Sequence, residues 1–219
     1  MSAGPPPGAE PEHVVATTPE ELEERILRLT RRRPERGQGS EVVHLHPIAT
    51  PLGPMLAGTT GDGVCLLEYT EPPRLENQLT RLADRWSAAF VAGPSPLHTR
   101  LAAELNAYFA GRLRAFTVPV TTRGTPFQQA VWAALRSVPY GQTCSYGALA
   151  RQLGRPAAVR AVARANGANP VALLIPCHRI IGSDGSLTGY GGGLWRKRWL
   201  LRHEGAVFTD ETAQLTLDL

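Results

Sequence analysis

Hydrophobic positions change their rhythm several times along the chain. Residues 1–17 are rich in Pro, Gly and Ala and carry no period, which predicts a disordered tail. Leu22, Ile26 and Leu29 then recur at helical spacing, behind a start signal in Thr18-Pro19-Glu20-Glu21: an N-cap, a proline at the first helical position and a capping-box acid. Pro34 to Gly39 breaks this helix. From Glu41 to Tyr69 the pattern shortens to strand-like runs, Val42 to Leu45, Met55 to Ala57 and Val64 to Tyr69, with Gly61-Asp62-Gly63 as a hairpin turn. Leu75 to Phe90 and Leu97 to Phe109 read as amphipathic helices, and Ala115 to Val120 as a strand.

Thr122-Arg123-Gly124-Thr125-Pro126 marks a boundary, and beyond it the period is mostly helical. Phe127 to Val138 is ended by Pro139-Tyr140-Gly141. Ser145 can cap Tyr146 to Leu153, which Gly154 closes. Pro156 opens a helix to Asn166, stopped by Gly167, and Trp195 to His203 forms a last helix before Glu204-Gly205. The pattern predicts an α+β protein in four parts: an extension over 1–40 with one helix, a small α/β domain over 41–121, a mostly helical domain over 122–207, and a tail over 208–219.

Composition narrows the classes. No apolar run in the 219 residues approaches the roughly 20 needed to span a bilayer, so no membrane partner is expected. The proline-rich start has neither a basic nor an apolar leader region, and Ser2 excludes a myristoylated glycine. Cys65, Cys144 and Cys177 are too scattered for a disulfide framework, and neither Cys-x-x-Cys nor His-Glu-x-x-His occurs. His44 and His46 could share a strand face, but no third ligand is in view. No metal or cofactor is expected, and a reducing cytoplasm is the natural setting.

The formal charge of +4 permits contact with a polyanion, and its distribution says more than its total. Arg151, Arg155, Arg160, Arg164, Arg179, Arg196, Lys197, Arg198 and Arg202 crowd the last third, where a solvated face is the plain alternative. Two short helices joined by a Gly-containing turn, Tyr146 to Leu153 and Pro156 to Asn166, resemble a helix-turn-helix. The second is slim with alanine and sets Arg160 and Arg164 one turn apart, which favours nucleic acid over an ordinary packed helix.

Next, Leu173 to Ile175 buries the approach to Pro176-Cys177-His178-Arg179. A lone cysteine is often a plain core residue. Here the adjoining histidine and arginine make the local field electropositive, which favours thiolate. Neighbours on an extended strand point to opposite sides, so His178 needs a turn or a bridging water to act on Cys177. The glycine-rich loop from Gly182 to Leu194 lets backbone N–H groups approach a ligand, but it is not a phosphate loop.

Ile175-Pro176-Cys177-His178-Arg179 resembles the signature of the O6-alkylguanine-DNA alkyltransferases, also called methylated-DNA–protein-cysteine methyltransferases. The likeness extends over 122–206 through Gly124-Thr125-Pro126-Phe127-Gln128, Pro139-Tyr140-Gly141, Ser145-Tyr146, Arg160, Asn166-Gly167, Asn169-Pro170, Gly189-Tyr190 and His203-Glu204-Gly205, and more loosely over 48–120. It implies a ribonuclease H-like first domain, and a single-use repair activity that moves an alkyl group from O6 of guanine, or O4 of thymine, onto Cys177. His178 would be the base acting through a water, Glu204 the acid that orients it, and Asn169 the tie between recognition helix and reactive segment. Arg160 would enter the duplex as the base leaves and Tyr146 would crowd the phosphate, with Ala158, Arg164 and Arg179 as further DNA contacts. Tyr190, Gly191, Val171 and Ala172 would line the base pocket, with Lys197 at its rim. The implied partner is double-stranded DNA containing alkylated bases, met by a monomer with no cofactor. Gly191 and Ala172 stand where some members have serine and proline, which removes a side-chain donor and enlarges the alkyl pocket.

Three other readings share some of these features. A thiol hydrolase would also use Cys and His, but it would need an oxyanion hole and leaves the helix pair unexplained. A non-catalytic lesion binder of the alkyltransferase-like kind lacks the acceptor cysteine that stands here at Cys177. A transcription regulator would need base-reading side chains that the alanine-rich helix does not offer.

Overall fold

The computed structural model describes Glu24 and residues 41–209, apart from Pro72. The helix expected over residues 18–33 lies outside the described residues except for Glu24, which is helical, and the tail is described only to Thr209. The described residues divide into two compact units, the first holding those up to Arg123 together with Pro170–Ala172, the second holding Gly124–Asn169 and those from Leu173 to Thr209.

In the first unit, β1 (Val42–Ile48), β2 (Met55–Thr59), β3 (Val64–Tyr69) and β4 (Ala89–Ala92) form one sheet in the order β3-β2-β1-β4. β1 and β2, and β2 and β3, pair antiparallel, while β4 joins β1 in parallel. A parallel neighbour needs a crossover, and α1 (Arg74–Trp86) supplies it. Leu75, Leu79, Leu82 and Trp86 fall on one stripe of α1 and close a core with Val43, Leu45, Leu56, Cys65 and Leu66. α2 (Pro96–Phe109) packs on β2, and β2 and β3 are buried along their whole length.

Two expectations are corrected here. The helix read to Phe90 stops at Trp86, because Ser87 turns left-handed (φ 46°) and the β-prone Ala89–Ala92 joins the sheet instead. Ala115–Val120 is not a strand; only Val120 makes a single bridge, to Val64. Of the two histidines of β1, His46 lies beside α2, its ring 5.5 Å from that of His98. Among the described residues no cluster of His, Cys, Asp or Glu is set to hold a metal, and no helix is long and apolar enough to cross a membrane.

The second unit contains α3 (Pro126–Arg136), β5 (Cys144–Ser145), α4 (Tyr146–Gln152), α5 (Val159–Gly167), β6 (Ile180–Ile181) and α6 (Leu194–His203). α3 starts as its residues dictate: Pro126 sits in the first turn, Thr125 Oγ1 accepts from Gln128 N, and Gln128 Oε1 accepts in return from Thr125 N. Ser145 caps α4 by accepting from Ala148 N at 3.1 Å. Gly154, at φ 67°, turns the chain after α4, and Pro156–Ala158 make a 3-10 turn that leads into α5. Buried Trp132 of α3 donates its indole N–H to Ala165 O of α5 at 2.9 Å, so the two helices are joined by a hydrogen bond as well as by apolar burial.

Candidate active site

Cys177 and His178 stand in a turn, because the chain does not stay extended. Pro176 ends regular pairing, and Cys177–Arg179 form a single 3-10 turn before β6, which pairs in parallel with β5. This turn is the element that the alternation of an extended strand would have denied. Cys177 is 4% exposed, and Asn169 Nδ2 donates to its Sγ at 3.1 Å and to Ile175 O at 2.8 Å. Asn169 therefore joins the end of the α5 segment to the reactive turn and puts an N–H against the sulfur. Leu173, just before the turn, holds a left-handed backbone (φ 68°) that a leucine adopts only under constraint from its surroundings.

His178 is fully buried, and its Nε2 lies 3.0 Å from Glu204 Oε1. An ionised carboxylate can only accept, so Nε2 carries the proton and Nδ1 the lone pair. Nδ1 is buried and has no hydrogen-bond partner among the described residues. Burial pushes the His178 pKa below the ordinary histidine value, against the pull of Glu204. The Glu204 carboxyl would be raised by burial alone, but the hydrogen bonds and charges of His178 and Arg179 outweigh burial and hold it well below the usual carboxylate range.

Arg179 was expected at DNA and is corrected here. Its side chain is turned inward, with Nε and Nη2 gripping Glu204 Oε2 and Oε1 at 2.8 and 3.0 Å and Nη1 donating to Val138 O at 2.7 Å. Lys197, expected at a pocket rim, is 0% exposed and donates Nζ–H to Ile180 O and Thr188 O. Desolvation lowers its pKa to about 8, and the charge on Cys177 opposes that shift. Arg196 is buried too and donates to Gly192 O. The basic crowd thus divides, with Arg151, Arg155, Arg160, Arg164 and Arg202 exposed and Arg179, Arg196 and Lys197 folded inward.

Tyr146 opens α4 and donates its hydroxyl to Gly189 O at 3.4 Å; burial and then the charge on Cys177 raise its pKa. Tyr190 is partly buried, Gly191 is exposed, and Ala158 is partly buried just ahead of exposed Arg160. Val171 and Ala172 belong to the first unit, where Val171 bridges Leu67 and Ala172 N–H donates to Leu67 O at 2.8 Å. Gly141 is a site residue that the pattern did not reveal. Its N–H reaches Glu204 Oε2 at 3.4 Å, its φ is 76°, and a Cβ there would stand 2.8 Å from Glu204 O. Pro139-Tyr140-Gly141 reads as a helix stop and as part of the family likeness, and nothing in a separation of 63 residues signals the contact with Glu204.

The chain resembles known proteins over most of its length. Residues 126–206 match a family described as 6-O-methylguanine DNA methyltransferase, DNA binding domain. A methylated-DNA–protein-cysteine methyltransferase of Shigella flexneri is 46% identical over 168 residues, 72% of this chain and 93% of that protein. A crystal structure of Mycobacterium tuberculosis O6-methylguanine methyltransferase superposes with a TM-score of 0.65 at 42% identity, covering 78% of this chain and 99% of the other. A second structure from that organism, in complex with DNA, gives a TM-score of 0.64 at 44% identity, covering 74% and 93%.

Proposed function

The chain belongs to the methylated-DNA–protein-cysteine methyltransferase family, and from that premise we propose that Cys177 takes an alkyl group from O6 of guanine in duplex DNA and keeps it. The observation that carries this reading is the setting of the thiol. Asn169 donates to Sγ at 3.1 Å, and the histidine in the same turn has its Nε2–H fixed on Glu204, which leaves Nδ1 as a base. Through one water, Nδ1 draws the thiol proton. The Sγ–C bond forms as the C–O6 bond breaks, and the electron pair stays on the guanine. The base recovers its lactam with one proton, which balances the proton removed from the thiol. The thioether product has no leaving chemistry, so each molecule acts once.

An alkyl carbon on O6 lies inside the base stack, so the nucleotide must be extruded at a cost of a few kcal/mol. We read α4 and α5 as a helix-turn-helix that meets the minor groove, with Arg160 entering the stack as the base leaves and Ala158 and Arg164 beside it. Tyr146 crowds the phosphate. Tyr190 and Gly191 make a wall of the base pocket. The exposed arginines of α4 and α5 and the slim, alanine-rich surface of α5 support a contact governed by phosphates and groove width rather than by sequence. A ribonuclease H-like first domain, the assignment of 41–121 and 122–207 as the two domains, a monomeric protein and a cytoplasmic setting belong to the same reading.

The test is intact mass and peptide mapping of the protein after incubation with a duplex that contains O6-methylguanine. One methyl group on Cys177, with product limited to one equivalent, is the expected result. Steady release of product beyond one equivalent, or a methyl group on Cys65 or Cys144, would overturn it.

A further inference from the structure

Arg179 stands in the reactive turn, yet the transfer as described gives it no part. Its guanidinium cannot reach a phosphate without abandoning both oxygens of Glu204 and the carbonyl of Val138. Glu204 in turn receives four donors: His178 Nε2 and Arg179 Nη2 on Oε1, Arg179 Nε and Gly141 N on Oε2. One negative charge is shared among all of them.

That sharing matters for the imidazole. A buried carboxylate facing a histidine with nothing else to neutralise it favours the imidazolium, and an imidazolium cannot take a thiol proton. A carboxylate gripped at both oxygens by a guanidinium still accepts Nε2–H, and so still fixes the tautomer, but it no longer draws a second proton to Nδ1. The charged groups facing His178 are Glu204 at the end of α6, Lys197 in α6 and Arg179 in its own turn, two cations against one anion.

We propose that Arg179 is a positioning residue for the transfer: by holding Glu204 at both oxygens it keeps His178 a neutral, Nε2-protonated imidazole with Nδ1 open as the base, and it makes no contact with DNA. The inference rests on the reading of His178 as that base. Burial acts in the same direction, since it disfavours the charged ring.

The experiment compares the full-length protein with Arg179→Gln and Arg179→Lys in single-turnover reactions between pH 5 and 9, on free O6-methylguanine and on methylated duplex. With Arg179→Gln, His178 becomes easier to protonate, so the acid limb of the rate moves up by about one to two pH units. Below that limb the rate falls about tenfold per pH unit, while the alkaline plateau stays within a few-fold of wild type, which also shows that the variant is folded. Both substrates show the same displacement, and duplex affinity is unchanged. Arg179→Lys restores a cation beside Glu204 and returns the limb towards wild type. A loss that is equal at every pH would reduce Arg179 to support of the fold. Weakened duplex binding with normal kinetics on the free base would make it a phosphate contact. Either result overturns the proposal. Failure of the wild-type protein to alkylate Cys177 at any pH would instead remove the reading of the site on which the proposal rests.

Discussion

Replacement of Glu204 by glutamine should destabilise the second unit as well as slow the reaction, and the size of both effects follows from its contacts. Glutamine keeps the shape but offers one acceptor and one donor where two acceptors are required. Turned one way, its NH2 meets His178 Nε2 and Arg179 Nη2; turned the other, it meets Arg179 Nε and Gly141 N. Either way Arg179 is left buried without a counter-charge, and breaking such a pair from one side costs about 3–5 kcal/mol. At roughly 2–4 °C per kcal/mol for a chain of this size, the melting point falls by about 6–20 °C. Tryptophan fluorescence can follow this unit, because Trp132, Trp195 and Trp199 lie in it and only Trp86 in the other. Transfer to the free base, measured well below the melt, slows by about a hundredfold or more as the imidazole loses its fixed tautomer. The sign of the pH dependence gives a second check. A carboxylate held below its unfolded value stabilises the fold above the usual carboxylate range, and that contribution is lost as pH falls through it. The gap between wild type and Glu204→Gln should therefore narrow below about pH 5. A variant that melts within about 2 °C of wild type at pH 7 would refute the claim that this carboxylate neutralises Arg179.

Gly141→Ala introduces a Cβ at φ 76° and 2.8 Å from Glu204 O, so it should cost more than about 1 kcal/mol and slow transfer by displacing Glu204; a wild-type melting curve and rate would contradict this. Cys65, whose thiol burial pushes up to about 12, and Cys144, which burial also raises, should resist a thiol alkylating reagent at pH 8 under conditions that label Cys177; peptide mapping checks it. Arg160→Ala should react about ten- to a hundredfold more slowly with alkylated duplex and normally with the free base, and equal impairment on both would end its assignment to base extrusion.

Much of the fold was legible because local signals agreed. Thr125, Pro126 and Gln128 announce α3 and Ser145 announces α4, and each cap forms as its residue types require. The boundary of α1 was not legible. Leu75 to Phe90 keeps an apolar content that suits a helix, but the open side of β1 recruits Ala89–Ala92 as a parallel strand, a gain visible only in three dimensions. At the site, the Cys177–His178–Arg179 run identified the reactive turn, yet side-chain direction within it was misread. Arg179 and Lys197 look like surface cations by composition, because burying a charge is costly unless partners meet it. Those partners are Glu204, 25 residues away, and the carbonyls of Val138, Ile180 and Thr188, which no sequence pattern displays.

Two buried cysteines in one chain show what burial does and does not decide. Cys65 is 1% exposed and Cys177 is 4% exposed, so solvent access hardly separates them. Cys65 lies in the apolar core with Leu45, Leu66 and Trp86; desolvation pushes its thiol up to about 12, and the charge of Glu41 pushes the same way. Around Cys177 the surroundings carry the opposite sign. Asn169 gives Sγ an N–H, and the charge on Cys177 favours the ammonium form of Lys197, so by reciprocity the ammonium favours the thiolate. Even at about 8, the Lys197 pKa keeps the group protonated by roughly tenfold at pH 7. Arg179 and Glu204 neutralise one another, whereas Lys197 Nζ is held by the carbonyls of Ile180 and Thr188 and keeps its charge available to the sulfur. Asn169 and Lys197 therefore favour the negative charge that develops on sulfur as His178 takes the thiol proton in the proposed transfer. Alkylation then removes the charge from sulfur and leaves a thioether whose thiolate is too poor a leaving group to be displaced by water, so the transfer proposed for Cys177 happens once per molecule.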